Sequence, residues 1–210
     1  MDGALITVEG LDGTGKTTLC AQLAPGLRAR GIQLLALREP GGTILGERVR
    51  AILADPVLTI DPVGEALLFA AARTQLVNEV VRPALERGYW VLLDRFVDST
   101  LTYQGAGREL GDDLAFELNR IASGGLVPDR TLLLQATDAE RVQRIRDRGD
   151  GDDRLELADA ESFKRIDARY KLLAADEPDR VRVIDASAPI PAVLSAAYHA
   201  IADLLPERAR

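Results

Sequence analysis

A chain of 210 residues, 47% hydrophobic and 28% charged, has the length and composition of one soluble α/β domain and can bury a core without metal or disulfide support. Its net charge of −7 argues against a general nucleic-acid binder, so any polyanion site must rest on locally clustered arginine. No apolar run reaches membrane-spanning length and no N-terminal stretch has a signal-peptide pattern. The single cysteine, Cys20, permits no intrachain disulfide, which suits a reducing cytoplasm.

Residues 4–9 read as a buried strand, and 15–30 as a helix closed by Gly31. Cys20 falls in that helix and reads as core filler. Residues 32–37 form a second apolar strand, broken by Arg38-Glu39-Pro40-Gly41-Gly42. Helical spacing follows over 43–54. Asp61-Pro62 opens a long helix by cap and first-turn proline chemistry. It runs through 65–86 toward Gly88, with Pro83 inside as a kink or a break. Residues 89–93 are a third strand ending at Asp94. A short helix over 98–104 leads into a turn at Gly105-Ala106-Gly107, and 114–122 is helical. Residues 130–135 are a fourth strand. Asp138 caps a helix running to Arg148, and 149–153 is a charged loop. A helix over 161–175, a fifth strand over 181–184 and an amphipathic helix over 190–205 complete the chain. Strands alternating with helices, and runs such as Leu132-Leu133-Leu134, predict an α/β fold: a five-stranded parallel sheet with helices on both faces. The whole chain, 1–210, reads as a single domain. Ligands in such a sheet bind at the carboxyl ends of the strands, so the segments containing Arg38, Asp94 and Gln135 should converge there.

Gly10-Leu11-Asp12-Gly13-Thr14-Gly15-Lys16-Thr17 stands between the first strand and the first helix. This is the G-x-x-x-x-G-K-[ST] phosphate-binding loop in its required setting. Backbone N–H groups in such a turn cradle phosphate oxygens, and the helix start adds its positive dipole end. Lys16 supplies a point charge for the β- and γ-phosphates, and Thr17 a hydroxyl for Mg²⁺. The loop predicts a nucleotide site but does not choose among motor, switch, transporter ATPase and small-molecule kinase.

The remaining motifs narrow that choice. Glu9 to Thr18, Arg38-Glu39-Pro40-Gly41-Gly42-Thr43, Phe69-Ala70-Ala71-Ala72-Arg73, Asp94-Arg95-Phe96, Ser99-Thr100, Tyr103-Gln104-Gly105 and Asp153-Arg154-Leu155-Glu156 follow one another at characteristic spacing. In this order the chain resembles the thymidylate kinase family, in its bacterial form, over essentially its full length. The resemblance implies the phosphate-loop kinase fold and transfer of the γ-phosphate of ATP to dTMP. It also implies Mg²⁺ as the accompanying metal, a homodimer, and no nucleic-acid or membrane partner.

Individual roles follow from the same resemblance. Gly10, Leu11, Asp12, Gly13, Thr14, Gly15, Lys16, Thr17 and Thr18 would surround ATP, with Arg144 beside the adenine. Thr17 and Asp94 would organise Mg²⁺. Arg38 and Arg95 would hold the acceptor phosphate, a task suited to guanidinium geometry. Asp12 would bond the acceptor sugar. Phe69 would stack on thymine and Arg73, one helical turn on, would bond its carbonyl. Thr100 and Gln104 would face the base edge, with Ser99 nearby, Tyr103 against the sugar and Leu53 as an apolar wall. Gly13 occupies the position at which one form of the family carries a catalytic arginine. That charge is therefore expected from a lid over about 146–158, supplied by Arg148 or Arg154.

Two rivals stand beside this reading. Another nucleotide or nucleoside kinase shares the loop, although Phe69 with Arg73 favours a pyrimidine. A nucleotide-dependent switch would bind ATP or GTP without a small acceptor, but no Asn-Lys-x-Asp guanine motif is present. His199 stands apart from every motif.

Overall fold

The structure, a computed structural model, describes residues 3–148 and 160–206, with Arg148 described through its backbone alone. Five strands, β1 (Leu5–Glu9), β2 (Leu34–Arg38), β3 (Trp90–Asp94), β4 (Arg130–Gln135) and β5 (Val181–Asp185), form one parallel sheet in the order β2-β3-β1-β4-β5. Consecutive strand residues serve opposite faces. Ile6, Val8, Leu92, Leu132 and Leu134 face a core shared with α1 (Lys16–Ala29) and α9 (Ile190–Ala200). Leu5, Val91 and Leu93 face a second core built by the helical run α3 (Pro62–Leu76), a π turn (Val77–Val81) and α4 (Arg82–Glu86). Leu133 packs against α6 (Asp112–Ser123) and α8 (Ala160–Asp176). Burial on both faces explains the unbroken apolar strand runs.

The register sets the carboxyl ends level. Arg38 and Val8 both align with Asp94, and Glu9 aligns with Leu133. From β1 the chain moves to one side of the sheet, and from β3 it crosses to the other, so β1 lies at the topological switch where α/β ligands bind.

Local departures from the expected elements have physical causes. Pro83 does not break its helix. The N–H of Arg82 donates to the Val77 carbonyl across a wide π turn, which displaces the carbonyls that the Pro83 ring would strike. The expected turn at Gly105–Gly107 lies inside a π-helical segment (Thr100–Gly107) that continues α5 (Val97–Ser99). A side chain at 107 would meet Ile166 Cγ1 at 2.9 Å and one at 105 the Ala115 Cβ at 3.2 Å, so glycine there permits close packing against α8 and α6. Thr137, not Asp138, caps α7 (Asp138–Arg148). Its Oγ1 accepts from the Glu140 N–H at 3.3 Å, and the Glu140 carboxylate accepts from the Thr137 N–H at 3.0 Å. The last helix stops at Ala200, after which Ile201 and Leu205 still bury into the core. The loop expected over 149–153 lies outside the described residues.

Candidate active site

The phosphate-binding loop leaves β1 at Gly10 and enters α1 through Gly15, which holds φ 93° at the helix N-cap. That left-handed conformation favours glycine. Among the described residues no side chain caps α1, and no acidic residue lies in its first turn, so its leading N–H groups stay available to an anion. Gly13 is needed for a second reason as well as its φ of 81°: a Cβ there would stand 2.5 Å from the Arg141 carbonyl of α7.

Lys16 is buried within the loop. Its Nζ donates to the Leu11 carbonyl at 2.9 Å and lies 3.6 Å from Asp12. Burial, with Arg95 beside it, pulls its pKa down to about 8 against the attraction of Asp12 and Asp94. One residue on, the Thr17 hydroxyl donates to Asp94 Oδ2 at 2.6 Å, joining the start of α1 to the end of β3. A hydroxyl and a single carboxylate are a donor set that suits Mg²⁺, which takes few protein oxygens and completes its shell with phosphate and water. Among the described residues no group of three or more His, Cys, Asp or Glu side chains could hold a metal ion by itself.

Beyond the loop, Arg95 organises the next layer. Its φ of 72° is left-handed, a conformation that costs a non-glycine residue strain. The guanidinium contacts Asp12 Oδ1, donates to Tyr103 Oη at 3.0 Å and Ser99 Oγ at 3.2 Å, and reaches the Gly10 carbonyl at 3.3 Å. The Tyr103 hydroxyl donates to Asp12 Oδ2 at 3.2 Å. Burial opposes ionisation of Asp12, but Arg95 and Lys16 overcome it and hold the carboxyl well below the usual range. Behind this cluster Glu9 accepts from the Phe96 N–H at 2.7 Å, Ser99 Oγ at 2.7 Å and Tyr170 Oη at 2.8 Å. Burial and the nearby Asp98 raise its pKa to about 7.

The cluster opens onto a cavity of about 130 Å³ lined by Asp12, Phe69, Arg73, Arg95, Ser99, Thr100, Tyr103 and Gln104. Eight of the ten residues assigned to the acceptor from sequence thus meet at one place. Arg73 lines the cavity, yet its N–H groups are directed to protein acceptors. Nε donates to Glu39 Oε2 at 2.8 Å, Nη1 to Thr100 Oγ1 and Asn119 Oδ1 at 2.7 Å each, and Nη2 to the Phe96 carbonyl at 2.9 Å. Leu53 is fully buried with Val49 and Ala72 in a cluster that backs Phe69. Arg38 is exposed at the end of β2, does not line the cavity, and donates to Glu47 Oε2 at 2.9 Å.

Arg144, expected beside the adenine, donates to the Ala186 carbonyl at 2.8 Å, just after β5. Thr18 is exposed in the first turn of α1. The Arg148 side chain and Arg154 lie outside the described residues.

Three buried groups carry structure at the site that sequence reasoning did not assign. Arg141 donates from Nε to the Asp12 carbonyl at 2.9 Å and from Nη1 to Asp138 at 2.7 Å, bracing the loop from α7. Its helical spacing from Asp138 was visible, but nothing local announced a contact with a loop so distant in sequence. Glu65 is buried against Arg108 and Gln104. Glu9, a carboxylate ending an apolar strand, was the one with a readable signal.

A family model described as thymidylate kinase matches residues 8–197. A thymidylate kinase from Deinococcus radiodurans is 49% identical over 187 residues, covering 89% of this chain and 90% of that protein. One from Halorhodospira halophila is 45% identical over 208 residues, covering 97% and 96%. The crystal structure of thymidylate kinase from Ehrlichia chaffeensis superposes with a TM-score of 0.78 at 29% identity, covering 96% of this chain and 99% of that one. Sequence and fold agree over nearly the whole of both chains, and the chain belongs to the thymidylate kinase family.

Proposed function

We propose that this protein transfers the γ-phosphoryl group of ATP to dTMP, giving dTDP and ADP. The observation that carries the reading is the position of the Asp12–Arg95 pair, which joins the phosphate-binding loop to a cavity lined by Phe69. A nucleoside monophosphate whose base entered the cavity would bring its phosphate toward the loop. The names of the relatives point the same way.

In this reading the loop N–H groups and Lys16 grip the phosphates of ATP. Arg95 holds the acceptor phosphate, Asp12 and Tyr103 position the sugar side of the acceptor, and Phe69 stacks on the base. Thr17 and Asp94 would hold Mg²⁺, which would supply positive charge against the negative charge of the phosphates. The protein's work is alignment and charge neutralisation, and no covalent protein intermediate is required. A lid arginine, Arg148 or Arg154, completes the neutralisation on closure. Arg38 would leave Glu47 to reach the acceptor phosphate.

We further read the protein as a cytoplasmic homodimer. Among the described residues no helix is long and apolar enough to cross a membrane. Leu67 on α3 and Phe116 and Ile121 on α6 are each more than half exposed on helices that pack together, an apolar face suited to a second copy.

The test of function is ADP release from Mg-ATP with one acceptor at a time: dTMP, dUMP, dCMP, dGMP, thymidine and none. Release that is strong with dTMP and weaker with dUMP is expected. Release with thymidine but not dTMP, or release indifferent to acceptor, would overturn the reading. Sedimentation analysis tests the dimer.

A further inference from the structure

Gln104 lies four residues beyond Thr100 in the π-helical segment, and both line the cavity. The two ends of its amide differ, and the structure commits only one. Nε2 donates to Glu65 Oε1 at 3.2 Å. Among the described residues, no protein donor is seen at the other end, Oε1. Glu65 is itself buried, 2% exposed, at the start of α3, where Arg108 donates to its two oxygens from Nε and Nη2 at 3.1 Å each. A carboxylate offers lone pairs only. Turning the amide over would set the Gln104 carbonyl against a carboxylate oxygen, two acceptors face to face in a buried site. Glu65 therefore fixes which end of the amide is left for a ligand.

Thr100 is set in the complementary sense. Its Oγ1 accepts from Arg73 Nη1 at 2.7 Å, which leaves the hydroxyl hydrogen to be given elsewhere. Thr100 and Gln104 together offer a donor beside an acceptor. A pyrimidine with a carbonyl next to a ring N–H complements that pair. One with an amino group next to a bare ring nitrogen meets it donor to donor and acceptor to acceptor.

We propose that Glu65 is a specificity-determining positioning residue: by holding Nε2 of Gln104 it presents the amide carbonyl to the base, and so selects the N–H edge of thymine against the ring nitrogen of cytosine. This rests on the reading of the cavity as the dTMP site. Glu65 lines the same cavity, and in this proposal it acts on the base through Gln104.

The experiment measures kcat/KM for dTMP and for dCMP in the full chain. The four proteins are the parent, Glu65→Gln, Gln104→Ala and the double variant. Glu65→Gln keeps the shape of the side chain but supplies both a donor and an acceptor, so the Gln104 amide is free to turn. The dTMP-to-dCMP ratio should fall by at least about tenfold, mainly through KM, because a buried mispaired polar group is what rejects the wrong base. In the Gln104→Ala background the same change should leave the ratio where Gln104→Ala alone puts it. A ratio unmoved by Glu65→Gln, or lowered equally with Gln104 absent, overturns the proposal and makes Glu65 a packing residue. If Glu65→Gln does not fold, Glu65→Met with Arg108→Met removes the acceptor without stranding the guanidinium, and the ratio is read in the same way. A parent protein that ignores dTMP or uses dCMP equally well would overturn the reading of the site itself. A selective parent with an equally selective Glu65→Gln overturns this proposal alone.

Discussion

Arg95 and Asp12, 83 residues apart in sequence, form one ion pair at the mouth of the cavity, with the Tyr103 hydroxyl closing the triangle at 3.0 Å from the guanidinium and 3.2 Å from the carboxylate. Each member limits the others. Asp12 ties Arg95 to the loop, and Arg95 offsets the charge of an acidic side chain that would otherwise repel phosphate there. Asp12→Ala removes the counter-charge and frees the guanidinium. We expect kcat/KM for dTMP to fall by about 10- to 100-fold, the scale of a lost charged hydrogen bond. Steady-state kinetics with dTMP varied at saturating Mg-ATP checks this, and an unchanged kcat/KM would separate Asp12 from acceptor binding.

Lys16 gives a pH prediction. Its pKa near 8 in the ligand-free protein reflects burial and the charge of Arg95. As pH rises through about 8 the free enzyme loses that positive charge, so kcat/KM for ATP should decline above pH 8. Phosphate in the site favours the protonated amine, so the corresponding fall in kcat should lie at higher pH. Lys16→Ala should abolish turnover. Rate profiles from pH 6 to 10 provide the check, and a kcat/KM for ATP that is flat through pH 9 would contradict the assignment.

Arg141 is the buried brace of the phosphate-binding loop, 4% exposed, joined to the Asp12 carbonyl and stacked 5.2 Å over the Phe163 ring. Arg141→Met should lower the melting temperature by several degrees and raise the KM for ATP more than it lowers kcat. Arg141→Lys should not restore both contacts, because one ammonium cannot span the fork of a guanidinium. Thermal unfolding together with ATP kinetics tests the pair. Equal melting temperatures for the parent and Arg141→Met would leave the brace without effect.

What the sequence made readable, and what it did not, divides along the range of the interactions. The strands, the phosphate-binding loop, the Asp61 cap and the Gly31 helix stop are local, fixed by residues a few positions apart. Parallel topology and register placed Arg38 and Asp94 at one sheet edge, whereas the meeting of Phe69, Arg73, Arg95, Thr100 and Gln104 was implied by the family resemblance of their motifs. Three features were not readable. Arg73 is directed to Glu39, Asn119 and Thr100, and Glu65 orients Gln104 from 39 residues away. Arg141 reaches a backbone carbonyl 129 residues distant. Side-chain partners at such separations leave no periodic trace. The π turn before Pro83 is a different case. Its cause was visible, but a kink, a break and a widened turn all answer the same proline.

The lid arginines make a separable prediction. Gly13 leaves the loop without a cation at that position, and on the proposed reading Arg148 or Arg154 would neutralise the transferring phosphoryl group. Arg154→Ala should lower kcat while leaving KM for dTMP nearly unchanged, the pattern of a contact made only in the transition state. An unchanged kcat would move the role to Arg148, tested by the same substitution there.

Glu9 predicts how stability changes with pH. Its carboxyl is fully buried, and burial with Asp98 nearby lifts its pKa from 4.5 to about 7. The folded protein thus holds this proton more tightly than the unfolded chain does. By linkage the group contributes most to stability below pH 4.5, and that contribution is lost as pH rises through 7. Glu9→Gln cannot ionise. It will start less stable, because its amide N–H groups oppose the Phe96, Ser99 and Tyr170 donors that Glu9 now satisfies. The stability gap between the parent and Glu9→Gln should therefore narrow between pH 5 and pH 8. Chemical denaturation of both proteins across that range measures the gap directly. A gap that stayed constant would mean the Glu9 proton is shared equally by the folded and unfolded states, and that burial does not govern its ionisation.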